Sequence, residues 1–157
     1  MYACCLIGFL LILIYCVFIT YKDKEIPNSI SQIVYSLGTR WKWTFTAVLF
    51  AVGFLIVPWM LEILPETYKF LGFLTVVGIL GVGADPLVKG EKNIIHYVSA
   101  VLCGIMSQII VLLMMPKLLF LWFPYILYTL YEKKSDKNMF LAEFVMLLSL
   151  GIVCLCS

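Results

Sequence analysis

One histidine and two carboxylates stand beside long apolar runs in this sequence. His96 opens one such run, Asp85 precedes it, and Glu143 lies about one turn into the last. Ionisable groups near membrane depth are scarce and costly, so each one suggests a function. The imidazole exchanges a proton near neutral pH, and Asp85 or Glu143 could orient it and hold its charge. An early loop, Pro27-Asn28-Ser29-Ile30-Ser31, adds two hydroxyls. Ser29 and Ser31 could donate hydrogen bonds to a head group, or in a bolder reading supply a nucleophile. We read Asp85, His96, Glu143, Ser29 and Ser31 as candidate ligand or head-group contacts and assign no catalytic residue.

Each of these residues also has a plainer role. His96 hydrogen-bonded to a carboxylate or backbone carbonyl would only lock its helix to a neighbour. Glu143, near a helix end, could reach water or pair with Lys137 or a nearby lysine. Asp85, His96 and Glu143 make a poor ligand set for zinc, which prefers several convergent His, Cys or carboxylate ligands. No metal or cofactor is expected. The sequence has no phosphate-binding glycine loop, no G-x-S-x-G and no H-E-x-x-H.

The elements that must position these groups follow from composition. Of the 157 residues, 64% are hydrophobic and 13% charged, against roughly 25% charged in soluble domains. In hydrocarbon every backbone polar group must be paired internally, so apolar runs form helices or barrel strands. These runs are continuous rather than alternating, which excludes a barrel. The expected fold is all-α, a single polytopic transmembrane bundle over residues 1–157 with about six helices. A net charge of +2 is too small for a nucleic-acid footprint.

A crossing needs about 20 apolar residues. The runs predict helices at about 2–20, 43–61, 68–84, 94–115, 118–131 and 139–156. Residues 62–66 read as a tight turn. The first run lacks the basic start and small-residue cleavage site of a signal peptide and is kept as a spanning helix. The fifth is the weakest: 14 residues rise only about 21 Å, and Pro124 lies inside it. It reads as a tilted, kinked or partly re-entrant element, or as one that borrows Met114–Lys117. Trp41 and Trp43 flank Lys42 where the second helix should meet the interface, as membrane anchors do.

Six crossings put both termini on one side. The loops after the first, third and fifth helices then share the other. They hold Lys22, Lys24, Arg40, Lys42, Lys89, Lys92, Lys133, Lys134 and Lys137, against Lys69 and Lys117 opposite. The positive-inside rule places the richer side in the cytoplasm and both termini outside.

Cys4, Cys5, Cys16, Cys103, Cys154 and Cys156 all fall in apolar runs and read as buried thiols acting as small hydrophobes. Ser99, Cys103 and Ser107 are spaced four apart, and Gly72, Gly78, Gly81 and Gly83 enrich the preceding helix. Small residues at helical spacing allow close backbone approach, so the two helices should share a packing seam. The alternative is a polar stripe of His96, Ser99, Ser107 and Gln108 lining a path.

The order Pro27-x-Ser29-Ile30-Ser31, a helix, a glycine-rich helix, a short polar loop and His96-Tyr97-x-x-Ala100 resembles a known pattern across residues 27–115. It is similar to the superfamily of damage-regulated autophagy modulators, Frag-type GPI-remodelling Golgi proteins and their uncharacterised bacterial relatives. The resemblance implies six membrane helices, with Ser29, Ser31 and His96 as shared polar positions. Its best-described members influence lipid or GPI-anchor handling. In eukaryotic members the matching loop faces away from the cytoplasm, whereas the charge count here places it inside.

Together these features suggest a small multi-pass membrane protein, more non-catalytic than enzymatic, that meets lipid or a partner's helices at a polar interfacial site. Its partners would be membrane lipids, other membrane proteins or a second copy. The alternatives are a proton-sensitive transporter or oligomeric channel, an intramembrane lipid-modifying enzyme, and a structural subunit of a membrane complex.

Overall fold

A computed structural model describes residues 2–24, 26–31, 33–37, 41–87, 94–132 and 137–156. Its helices are α1 (Tyr2–Asp23), α2 (Ile33–Ser36), α3 (Lys42–Ile63), α4 (Lys69–Ala84), α5 (Ile94–Met114), α6 (Trp122–Tyr131) and α7 (Asn138–Cys156). Short 3₁₀ segments cover Glu66–Tyr68, Asp85–Leu87 and Pro116–Leu121. No strand occurs among the described residues. Arg40, the expected loop at Lys89 to Asn93, and Lys133 and Lys134 of the last charged loop lie outside the described residues.

Five helices are long and apolar enough to cross a membrane: Ala3–Lys22, Lys42–Ile63, Glu66–Leu87, Ile94–Met114 and Asn138–Cys156. Their outward faces are greasy. Val17, Phe54, Phe73, Val98 and Leu148 are all exposed, an apolar surface that water would not tolerate over such a large area.

Side-chain pairs give the direction of each neighbour. Tyr15 on α1 bonds Thr44 on α3, and Gly8 faces Leu55 and Ile56, so these helices run antiparallel. Gly83 on α4 faces Leu49 and Phe50 on α3, whereas Gly72 faces Met60 and Leu64. Gly78 and Gly81 on the same helix face Cys103 and Ser99 of α5. The expected α4–α5 seam is therefore present: a Cβ on Gly78 would lie 2.7 Å from the Cys103 backbone nitrogen. The other two glycines serve the α3 side. Gly151 of α7 faces Phe9 of α1, and α7 also packs on α5. The five long helices thus close a ring in the order α1, α3, α4, α5, α7.

The fifth expected helix needs correction. Residues 118–131 do not form one helix; 3₁₀ turns over Pro116–Leu121 lead into a ten-residue α6. Pro124 explains the break. It has no N–H to bond the carbonyl of Phe120, so it fits best in the first turn of a helix, although Pro58 is carried inside α3. The α-helix starts at Trp122, whose N–H bonds Leu119 in the tighter 3₁₀ pattern.

This segment nevertheless returns the chain along the bundle. Gly104 of α5 faces Met146 of α7, and Gln108 bonds Ser149. Both helices therefore climb the same way, and the connection must descend between them. Six 3₁₀ residues and ten α residues rise about 27 Å together. Trp122 Nε1 marks the descent by donating to Gln108 Oε1 at 2.9 Å.

Other boundaries shift modestly. α1 runs on to Asp23 and α3 to Ile63, so Glu62 is helical rather than part of the turn. The Lys22 ammonium sits 5.8 Å from the centroid of the Trp41 ring. One cysteine expectation is overturned. Cys5 and Cys154, 149 residues apart, form a disulfide joining α1 to α7. Antiparallel packing of these helices brings their opposite chain ends together. Cys4, Cys16, Cys103 and Cys156 are free.

Candidate functional site

The site lies at the end of the ring where α1 and α4 finish and α3, α5 and α7 begin. The loop after α1 folds down onto α7. Asn28 gives its carbonyl to the Phe140 N–H at 2.9 Å, satisfying one of the donors that every helix N-terminus leaves open. That contact lowers Ser29 and Ser31 onto Glu143, one turn further along.

Glu143 is gripped by this loop. Ser29 Oγ lies 2.9 Å from both carboxylate oxygens. Ser31 donates its N–H to Oε2 at 3.0 Å and its hydroxyl to Oε1 at 2.5 Å. The two hydroxyls are 2.8 Å apart. Ser29 is only 1% exposed. Three donors thus converge on one carboxylate. Among the described residues, no lysine or arginine lies within ion-pair distance of Glu143. The described contacts of Glu143 thus form a serine cradle.

A second group forms beside it. Tyr35 on α2 donates to Asp85 Oδ2 at 2.5 Å. The phenol is pushed above its ordinary value of 10.0, chiefly by burial and then by that bond to a carboxylate. His96 packs between Tyr35 and Tyr97, with ring centroids 5.7 and 5.8 Å away. Its Nδ1 is 3.8 Å from Asp85 Oδ2, within reach of charge but beyond a hydrogen bond.

His96 departs from the locking role. It is 1% exposed, and neither ring nitrogen has a hydrogen-bond partner among the described residues. A buried polar group left open costs free energy, and such exceptions call for a physical explanation.

Two cavities meet at Glu143. An inner one of about 110 Å³ lies on the ring axis, walled by Phe9, Phe45, Ile79, Cys103 and Leu150 among others. An outer cleft of about 600 Å³ runs between α5, α6 and α7. Ser31, Gly104, Glu143 and Met146 line both. The cleft has a polar end at Ser31, His96 and Glu143, and an apolar body of Val101, Ile105, Ile109, Leu112 and Leu119. From His96 to Leu112 it follows α5 for about 24 Å.

The structure therefore brings together all five residues singled out in the sequence: Ser29 and Ser31 on Glu143, and Asp85 beside His96. Tyr35 was missed, because it sits in a stretch read only as a polar connection. The polar stripe divides. Ser99 packs at Gly81, Ser107 bonds the Gly104 carbonyl and lines the inner cavity, and His96 and Gln108 line the cleft. Both serine hydroxyls engage Glu143 rather than His96, so no hydroxyl–imidazole pair of the kind that activates a serine exists among the described residues. No cluster of three metal-ligating side chains occurs among them either.

No protein-family model matches the chain, and neither the curated proteins nor the solved structures contain a match to it.

Proposed function

We propose that this multi-pass membrane protein holds a membrane amphiphile in the cleft between α5, α6 and α7. The head group meets Ser31, His96 and Glu143, and a chain lies along Val101, Ile105 and Leu112. The observation that carries this reading is His96, buried with both ring nitrogens open among the described residues, at the polar end of a largely apolar cleft. A head group supplies the partner that the described residues do not. The apolar body is long enough for a lipid chain, since one leaflet is about half of a roughly 30 Å hydrocarbon core. The resemblance to lipid-handling six-helix proteins points the same way.

In this reading the 116–131 segment is the sixth crossing. The loops after α1, α4 and α6 face the cytoplasm, and the Cys5–Cys154 end lies outside. The basic residues favour that orientation. So does the disulfide, because such bonds persist in oxidising compartments.

The test is a lipid extraction of detergent-purified protein, comparing the wild type with His96→Phe. The wild type is expected to carry one amphiphile class enriched over bulk membrane, and the variant to lose that enrichment while eluting as a folded species. Equal lipid content, matching the bulk membrane in both, overturns the reading.

Transport is the rival reading, and it draws on Glu143 lining both cavities. A pH-dependent solute flux into liposomes, abolished by Glu143→Gln, would favour it instead.

A further inference from the structure

Taking the cleft as an amphiphile site, we infer that its occupant has a cationic head, a protonated amine or a quaternary ammonium. The argument rests on charge complementarity. Glu143 lines the polar end, Asp85 stands outside the lining 3.8 Å from His96 Nδ1, and no lysine or arginine lies within ion-pair distance of either among the described residues. Whichever way His96 is protonated, the carboxylates outnumber it. Asp85 spends one oxygen on Tyr35, and the serine cradle turns Glu143 toward the cleft without neutralising it.

An anionic head would face the Glu143 carboxylate in an apolar cleft, where like charges repel strongly. A neutral head would leave the half-buried Glu143 carboxylate with no counter-charge among the described residues, an arrangement that carries a desolvation cost. A cationic head offsets that cost. His96 strengthens the match, because its open nitrogen can accept a hydrogen bond from an ammonium N–H. Tyr97 lines the same end of the cleft, and aromatic faces attract cations.

Trp122 lines the cleft body and gives a direct readout. Chain-brominated alkylamine, alkanol and alkyl sulfonate of equal length are titrated into nanodiscs holding the full chain. The signal is the part of the tryptophan quenching that Trp122→Phe removes, which separates it from Trp41, Trp43 and Trp59. The amine is expected to quench Trp122 at a concentration about tenfold below the alkanol, the effect of one charge-assisted contact. That preference is expected to collapse in Glu143→Gln. Asp85→Asn, which leaves the serine cradle intact, is expected to reduce it and serves if the Glu143 variant does not fold. Butylamine, carrying the head without the chain, is expected to compete poorly.

Equal quenching by amine and alkanol, or preference for the sulfonate, overturns the cationic head and leaves the cleft reading standing. Equal competition by butylamine overturns the amphiphile. Quenching by all three probes that Trp122→Phe does not reduce overturns occupancy of the cleft itself.

Discussion

Ser31 gives both its backbone N–H and its hydroxyl to the carboxylate of Glu143, 112 residues further along the chain. That contact fixes the early loop on the start of α7 and holds an acidic group at the junction of two cavities. The functional reading grows from this tie and from the open imidazole beside it.

Removing a donor should expose the cost of the tie. Ser29→Ala leaves a half-buried carboxylate with one fewer partner and is expected to lower stability by about 1–3 kcal/mol. Residues sharing one network couple, so the double variant Ser29→Ala/Glu143→Ala should lose less than the sum of the singles. Thermal unfolding of the four proteins in one detergent measures both effects. Full additivity would mean that the bond carries no energy.

The α4–α5 seam makes a sharper contrast. Gly78→Ala is expected to cost about 1–3 kcal/mol by overpacking, because its Cβ would press on the backbone of α5, which cannot yield as a side-chain tip can. Gly151→Ala should be near neutral, since its Cβ would find Phe9 at an ordinary 3.5 Å. Comparing their melting temperatures checks the packing directly.

Tyr35 has a signature in alkali. Its phenol titrates above 10.0 in the folded protein, so folding favours the protonated form. That stability is complete below the unfolded value and is lost as pH rises past it toward the folded one. The wild type is therefore expected to lose melting temperature above pH 10 more steeply than Tyr35→Phe. Parallel curves would show that the Tyr35–Asp85 bond does not persist in solution.

Orientation is open to labelling. Lys24 and Glu66 are exposed at opposite ends of the bundle. In a background with Cys4 and Cys156 replaced by serine, Glu66→Cys should react with an impermeant maleimide added outside intact cells. Lys24→Cys should react only after permeabilisation. The reverse pattern would invert the protein, and labelling of both from one side would break the crossing scheme.

Much of the helical scaffold was legible because apolar runs with charged breaks leave little choice in hydrocarbon. The approach of Asp85 to His96 was legible too, since one short loop separates them. The grip of Ser29 and Ser31 on Glu143 was visible only as a shared depth; the contact depends on the loop turning back onto α7, which no periodicity encodes. Cys5 and Cys154 could not be matched because their pairing follows from helix order around the ring rather than from spacing. The split at Trp122 was half legible. Pro124 marked the trouble, but only the parallel run of α5 and α7 shows why the chain must still return.

The central claim is that the cleft, rather than the outer surface, receives the amphiphile. Photo-crosslinking with a diazirine-chain alkylamine in nanodiscs, followed by peptide mapping, tests it most directly. Adducts are expected to concentrate on Ile105, Leu112, Leu119 and Met146 and to fall away in His96→Phe. Adducts spread equally onto the outward-facing Phe54 and Phe73, unchanged in that variant, would contradict it.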